Sequence, residues 1–129
     1  MARSRTVAVY TGEELGRYGF EDHPFGENRI HAFWDEMHIR HFDYQVRVLH
    51  PATATEEQIR LFHTSKYVEK VKTYSEVGEG LLDYGDTPAY KGVFEDAAVV
   101  VGTVVDATHR IMTNEIRRAF VPIAGLHHS

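Results

Sequence analysis

The sequence contains no cysteine, which excludes a disulfide framework and a thiolate metal site, so any metal bound by it needs histidine or carboxylate ligands. Positive charge is also in short supply, since 14 Lys and Arg stand against 19 Asp and Glu and leave a formal net charge of -5. That balance argues against a nonspecific nucleic-acid binder, whose affinity rests on cations neutralising phosphates, although local basic patches stay open. Long hydrophobic runs are missing as well. The basic start Met1–Arg5 leads only into Thr6–Tyr10, too short for the core of a signal peptide or for a membrane span. The expectation is a cytoplasmic protein with no membrane partner. Internal repeats and low-complexity segments are absent too.

What remains is ordinary globular material, 43% hydrophobic and 26% charged over 129 residues, enough for one core and one domain. Thr6–Tyr10 is a β-branched and aromatic run bounded by Thr11 and Gly12, which predicts a buried first strand. Glycines, charges and the His23–Pro24 step then read as a long surface loop from Gly12 to Gly26. Ile30, Phe33, Trp34 and Met37 recur at i, i+3, i+4 and i+7 and predict a helix over about 27–40. Tyr44–Leu49 reads as a second strand closed by Pro51.

Thr55 and Gln58 have the spacing of a capping box, in which the threonine oxygen takes an orphan amide and the glutamine reaches back. A short helix is expected after them, and another from the fresh cap at Thr64 and Ser65 to about Val77. Residues 78–90, with Gly78, Gly80, Gly85 and Pro88, form a second loop. From Lys91 to Thr113 the valines suggest a strand by propensity, and Thr113-Asn114 is expected to end the element. Their period decides for a helix, with Phe94, Ala97, Ala98, Val101, Val104, Val105, Thr108, Ile111 and Met112 following one helical stripe over a span far longer than a typical strand. Gly102 within it costs about 1 kcal/mol against alanine and suits a close packing contact. A final strand is expected over about Ala119–Ile123, with Pro122 an awkward member because it lacks a ladder donor. This alternation predicts an α/β, three-layer, mainly parallel sheet.

Several residues bear chemistry, each with a plain alternative. The terminal pair His127–His128 could move a proton near neutral pH, one ring acting while the other orients; a solvated tail, a tag remnant and half a metal site are the alternatives. Asp86 lies in the 78–90 loop, where aspartates commonly accept backbone amides in turns. Arg29 opposes the helix macrodipole at the start of its helix, or is a solvated arginine near Glu27. His23 and His63 read as loop and scaffold histidines. Asp106 and His109, at i, i+3 on the long helix, read as a surface pair rather than a metal site.

Three stretches, in this order and at these separations, carry a resemblance: His23–Pro24 through Arg29, Tyr84-Gly85-Asp86-Thr87-Pro88, and Arg118 through His128. Together they resemble the N-terminal part of the zinc-dependent deacetylases, the family of histone deacetylases, acetoin utilization proteins and acetylpolyamine amidohydrolases. The resemblance runs from about Val7 to the last residue. It implies the first portion of an arginase/deacetylase-like fold, a single incomplete domain over residues 1–129, and hydrolysis of an N-acetyl amide on lysine or a polyamine. In that family zinc polarises the acetyl carbonyl and lowers the pKa of bound water, while a tyrosine stabilises the oxyanion.

By position, His127 would contribute electrostatic and hydrogen-bonding help and His128 would be general base and acid. Asp86 would be a rim aspartate that accepts hydrogen bonds from the substrate's backbone amides. Arg29 would point into an internal cavity where acetate leaves. A second glycine or another very small residue usually precedes the position of Gly125, where this chain has Ile123 and Ala124. The family's metal ligands and oxyanion tyrosine fall beyond residue 129, so no catalytic zinc is expected on these residues alone and the isolated chain is expected to be inactive. Three readings stay open: an N-terminal segment of a full enzyme; a naturally short, noncatalytic module that self-associates or binds a protein; and a short metal-binding protein using His127 and His128.

Overall fold

The computed structural model describes residues 7–20, 23–24, 26–85, 87–123 and 125. The described residues form three short parallel strands, β1 (Val7–Tyr10), β2 (Arg47–Leu49) and β3 (Arg118–Phe120), in the spatial order β2-β1-β3. Ala8 pairs with Arg47 on one side and with Ala119 on the other, so β1 is the central strand. Ala8, Val9 and Tyr10 are accordingly 0% to 4% exposed, as a parallel strand covered on both faces requires.

Helices occupy both faces. Side chains alternate along a strand, and Val9 stands in register with Phe120, whose ring lies 5.2 Å from Phe33 of α2 (Asn28–Ile39). On the same helix Trp34 donates its Nε1–H to the Tyr10 carbonyl at 3.2 Å. Tyr10 reaches the opposite face, where its hydroxyl donates to Asp106 Oδ2 of α5 (Val93–Met112) at 2.7 Å. The expected three layers are therefore present, with α2 and α5 enclosing the sheet.

The helix starts are largely those expected. Thr55 caps α3 (Glu56–Arg60) through a complete capping box with Gln58, and Thr64 caps α4 (Ser65–Val77) by accepting from the Tyr67 amide. Glu56 ties the two helices by ion pairs to Arg60 and Lys72. The expected breaks also hold. Asn114, in left-handed conformation at φ 59°, follows the last turn of α5, and the Glu115 amide closes back on the Arg110 carbonyl at 2.9 Å, a Schellman-type ending.

Three expectations need correction. Residues 12–26 are not a surface loop throughout. They contain a helical turn, α1 (Glu13–Gly16), and bury Leu15, Tyr18 and Phe20, because these apolar side chains fill the space over the ends of α2 and α5. The second strand is only Arg47–Leu49, since Asp43–Gln45 form a 3-10 turn. The third strand ends at Phe120, which places Pro122 outside the ladder and removes the donor conflict. The stripe that locates α5 lies mostly on its outer face: of its members Ala98 is buried, while Val104, Val105, Ile111 and Met112 are exposed, and the buried side carries Val93, Val100, Thr103 and Ala107.

Gly102 has a definite role. A Cβ there would lie 2.2 Å from the Ala54 nitrogen and 2.4 Å from the Ala52 carbonyl oxygen, so the 52–54 segment can cross α5 in backbone contact only over glycine. Two bonds fix this crossing: the Ala54 amide donates to the Ala98 carbonyl at 2.9 Å, and the Ala52 amide to Thr103 Oγ1 at 3.2 Å. None of the described helices is long and apolar enough to cross a membrane.

Candidate active site

The chain order brings the chemistry-bearing segments to one edge. Because the strands are parallel, the chain leaves all of them at their common C-terminal edge: after β1 into residues 11–27, after β2 into 50–55, and after β3 through Val121, Pro122 and Ile123 to Gly125. Helix α5 returns the chain to the start of β3, so its first residue, Val93, and the 78–92 segment before it belong to the same edge. Ligands of open α/β sheets bind at that edge.

Its two long segments are packed together around Phe20, which meets Tyr18, His23 and Tyr90 edge-on at centroid distances of 5.6, 5.9 and 6.0 Å. The Tyr90 hydroxyl lies 3.1 Å from the Arg17 carbonyl and 3.0 Å from Asp96 Oδ2, and its single proton serves these two acceptors. Burial, followed by the neighbouring Asp96 carboxylate, raises the Tyr90 pKa well above its ordinary value. This tyrosine is a neutral structural clamp between the segments, not an acid or base near neutral pH.

The 80–89 segment folds back on itself. Ala89 N donates to Gly80 O at 2.7 Å and Leu82 N to Thr87 O at 2.9 Å, with a bridge between Leu81 and Pro88. At the tip the Asp83 carboxylate collects three donors: Gly85 N and Thr87 N on Oδ1, both at 3.0 Å, and Thr87 Oγ1 on Oδ2 at 2.7 Å. The described amides on either side of position 86, those of Gly85 and Thr87, are both taken up by Asp83. The sequence signal was an aspartate two residues before a glycine and four before a threonine, an Asx-turn pattern. Tyr67 supports the segment from below by donating to the Leu82 carbonyl at 3.1 Å.

The same segment walls an apolar groove of about 830 Å³ floored by Val68, Val71, Phe94, Ala97 and Val101, with His63 at its mouth. Phe94 and Tyr90, close in sequence, thus face different surroundings, the first this groove and the second the packed edge.

Arg29 sits in the first turn of α2 with its amide on the Gly26 carbonyl at 3.1 Å, and its side chain is exposed. His23 is half-buried against Phe20 and donates its amide to the Phe20 carbonyl at 3.3 Å. Asp86, His127 and His128 lie outside the described residues. Gly125, the last described residue before the pair, has φ 95°, a left-handed conformation that favours glycine over any side chain. Ile123 is buried at 2% exposure in the main core, so the bulk that departs from the family pattern is absorbed by packing.

Asp106 belongs to a different place. It accepts from Tyr10 and from Arg110 Nε at 2.8 Å, Arg110 reaches Glu115 at 2.5 Å, and Glu115 meets Arg47 of β2 at 2.6 Å. Partial burial works against its ionisation, yet the bonds from Tyr10 and Arg110 hold its carboxyl below the usual carboxylate range. It is a structural anchor between sheet and helix. Among the described residues no group of three or more His, Asp or Glu is placed to hold a metal ion.

A three-layer parallel α/β sheet with its helix starts and glycine-bearing turns gathered at the strands' C-terminal edge defines the class, an α/β protein. The Histone deacetylase domain family model matches residues 23–129, and the chain belongs to that family. Among curated relatives it is 32% identical over 131 residues to the acetoin utilization protein AcuC of Bacillus subtilis (strain 168), covering 95% of this chain and 34% of that protein. It is 32% identical over 92 residues to histone deacetylase 8 of Xenopus tropicalis, covering 66% of this chain and 25% of the relative. The chain therefore spans about a third or less of the length of these relatives. Among solved structures, the HDA15 HD domain superposes with a TM-score of 0.78 at 20% identity, over 92% of this chain and 35% of that one, which supports the fold.

Proposed function

We propose that these residues are the N-terminal segment of a zinc-dependent deacetylase that hydrolyses the acetyl amide of acetyl-lysine or acetylpolyamine substrates. In this reading His128 takes a proton from the attacking water and returns it to the leaving amine, and His127 holds its partner and the developing charge by hydrogen bonding. Asp86 accepts amide hydrogens of the substrate at the rim, and Arg29 borders the route by which acetate leaves. Zinc, when bound by the whole enzyme, supplies Lewis acidity and an activated water. The described residues do not offer a ligand set for it. The 129 residues by themselves are proposed to be inactive, and the working enzyme to be cytoplasmic.

The observation that carries this reading is the family match over residues 23–129, joined to a topology that delivers the Arg29 turn, the 80–89 segment and Gly125 to one edge. A second reading has its own support. The outer face of α5, with Val104, Val105 and Met112, and Phe120 on the edge strand β3 are exposed, and such surfaces invite self-association. In that case the short chain is a noncatalytic homo-oligomer or a partner-binding module.

The intact mass of the species bearing this N-terminus in its own cells separates the two. A species far heavier than 14.8 kDa, with chelator-sensitive hydrolysis of acetyl-lysine or acetylpolyamine substrates, is expected. A species of 14.8 kDa that assembles into oligomers and hydrolyses neither substrate would replace the first reading by the second.

A further inference from the structure

We infer that the chain pairs with a second copy of itself through the corner between α3 and α4, the Leu61–Phe62 pair of each copy entering the apolar groove beside the 80–89 segment of the other. This contact is independent of the deacetylase reading, and it uses the groove rather than the outer face of α5.

Leu61 and Phe62 are each 88% exposed. Single exposed apolar residues are ordinary, but contiguous ones mark contact sites. The pair is held outward in a fixed shape. The amides of Leu61, Phe62 and His63 close onto the carbonyls of Gln58 and Ile59 at 3.1 to 3.3 Å. The Phe62 ring meets His63 edge-on at a centroid distance of 5.0 Å, and the His63 ring lies 5.2 Å from that of Tyr67. A projection whose conformation is set beforehand loses little freedom on binding.

Within one copy the pair turns away from the groove. Both nevertheless belong to one surface, because Ile59 just before the pair and His63 just after it line the groove. A projection beside a hollow is what a two-fold contact needs, since each copy then gives its projection and receives the other's.

The charges fit this exchange. Lys66 is exposed in the first turn of α4, directly after the projection, and Asp83 is the one carboxylate among the described residues lining the groove. Each copy therefore brings a cation toward an acid of the other, the complementarity that fixes register between partners. The area fits as well. Leu61 and Phe62 bring about 300 Å² per copy, an aromatic side chain alone supplying roughly 150–250 Å². With the groove walls they cover, and twice over by symmetry, the contact buries about 1,200 Å², the lower bound for a specific interface. Such contacts are weak and reversible, so the dimer is expected in the micromolar range.

The test is sedimentation velocity on the protein as its own cells produce it, over a series from about 1 μM to about 1 mM. Wild type is expected to pass from monomer to dimer. Phe62→Ser removes the projection at an exposed position, and Ala97→Glu fills and charges the floor of the groove. Each is expected to weaken the dimer about tenfold or more, and Lys66→Glu about threefold. A mixture of Phe62→Ser and Ala97→Glu proteins is the sharper readout. Each variant alone has both of its contacts broken, whereas the mixture keeps one intact, so a heterodimer should form where neither homodimer does.

A monomer throughout the series would overturn the inference. So would a dimer that neither variant weakens, which would move the contact to another face such as the outer side of α5. A dimer lost in only one of the two variants, or a mixture without the heterodimer, would overturn the exchange of projection and groove. If Ala97→Glu fails to fold, Ala97→Gln takes its place, with the same size and no charge.

Discussion

Val93, Val100, Thr103 and Ala107 on one side of α5 are 0% to 5% exposed, whereas Val104, Val105, Ile111 and Met112 on another side are 36% to 76% exposed. Both sides are apolar, and they repeat with the same helical period. A helix apolar around most of its circumference is the kind found deep inside a larger protein, and only one of these faces meets its partners within the described residues. The closed side is fitted in detail, with Gly102 under the 52–54 crossing and Tyr10 bonded to Asp106. The open side continues into the groove beside the 80–89 segment. The comparison teaches that hydrophobic period locates a helix but cannot say which apolar face is covered, since that depends on what else is packed nearby.

The largest effect should come from the closed side. Gly102→Ala places a methyl within backbone contact distance of Ala52 and Ala54, and overpacking of this kind is expected to cost about 3 kcal/mol or more. That outweighs the gain of about 1 kcal/mol in helix propensity. Urea unfolding measures it, and a more stable Gly102→Ala protein would mean that the 52–54 segment does not lie on α5. Next, Tyr10→Phe deletes one partly buried hydrogen bond and should cost about 1–2 kcal/mol in the same assay.

Acid should erode the same anchor. Asp106 has a folded pKa below its ordinary 3.8, so the unfolded chain binds that proton more readily. Its contribution is fully present above the ordinary value and is lost as pH falls through the folded one. The stability advantage of wild type over Asp106→Asn is therefore expected to hold above about pH 5 and to shrink as pH falls below the ordinary 3.8 toward about pH 2; a constant difference from about pH 5 to about pH 2 would deny the anchor its charge.

The smallest effect belongs to the open side, where Val104→Glu should change stability by no more than about 0.5 kcal/mol. A large loss would show that this face is covered in solution. The oligomeric state of the same variant, measured by sedimentation, then sharpens the comparison: dissociation of an assembly would identify another copy as the cover.

Much of the fold was legible because local rules decided it. Thr55 and Gln58 announced α3, Thr64 announced α4, Asn114 marked the end of α5, and the alternation of elements pointed to the parallel sheet. The misreadings have physical causes. Leu15, Tyr18 and Phe20 stand among glycines and charges, so their burial depends on α2 and α5 and not on any local period. Phe94 through Met112 made the more complete stripe of α5, while its buried side uses Thr103 and Gly102, residues a hydropathy pattern does not count. At the candidate site, the His23 to Arg29, 84–88 and 118–128 stretches revealed the family. Asp83 escaped attention as a turn builder because its three donors are set by the fold-back of residues 80–89, a geometry that spacing only hints at.

The most direct measurement is the rate of acetate release from an acetyl-lysine peptide by the zinc-loaded protein that carries this chain, wild type against His128→Ala. If His128 moves the proton, the variant should lose roughly a factor of 10²–10⁴ in kcat with KM little changed. An undiminished rate in His128→Ala would contradict the central claim, because the proton would then be moved by some other group.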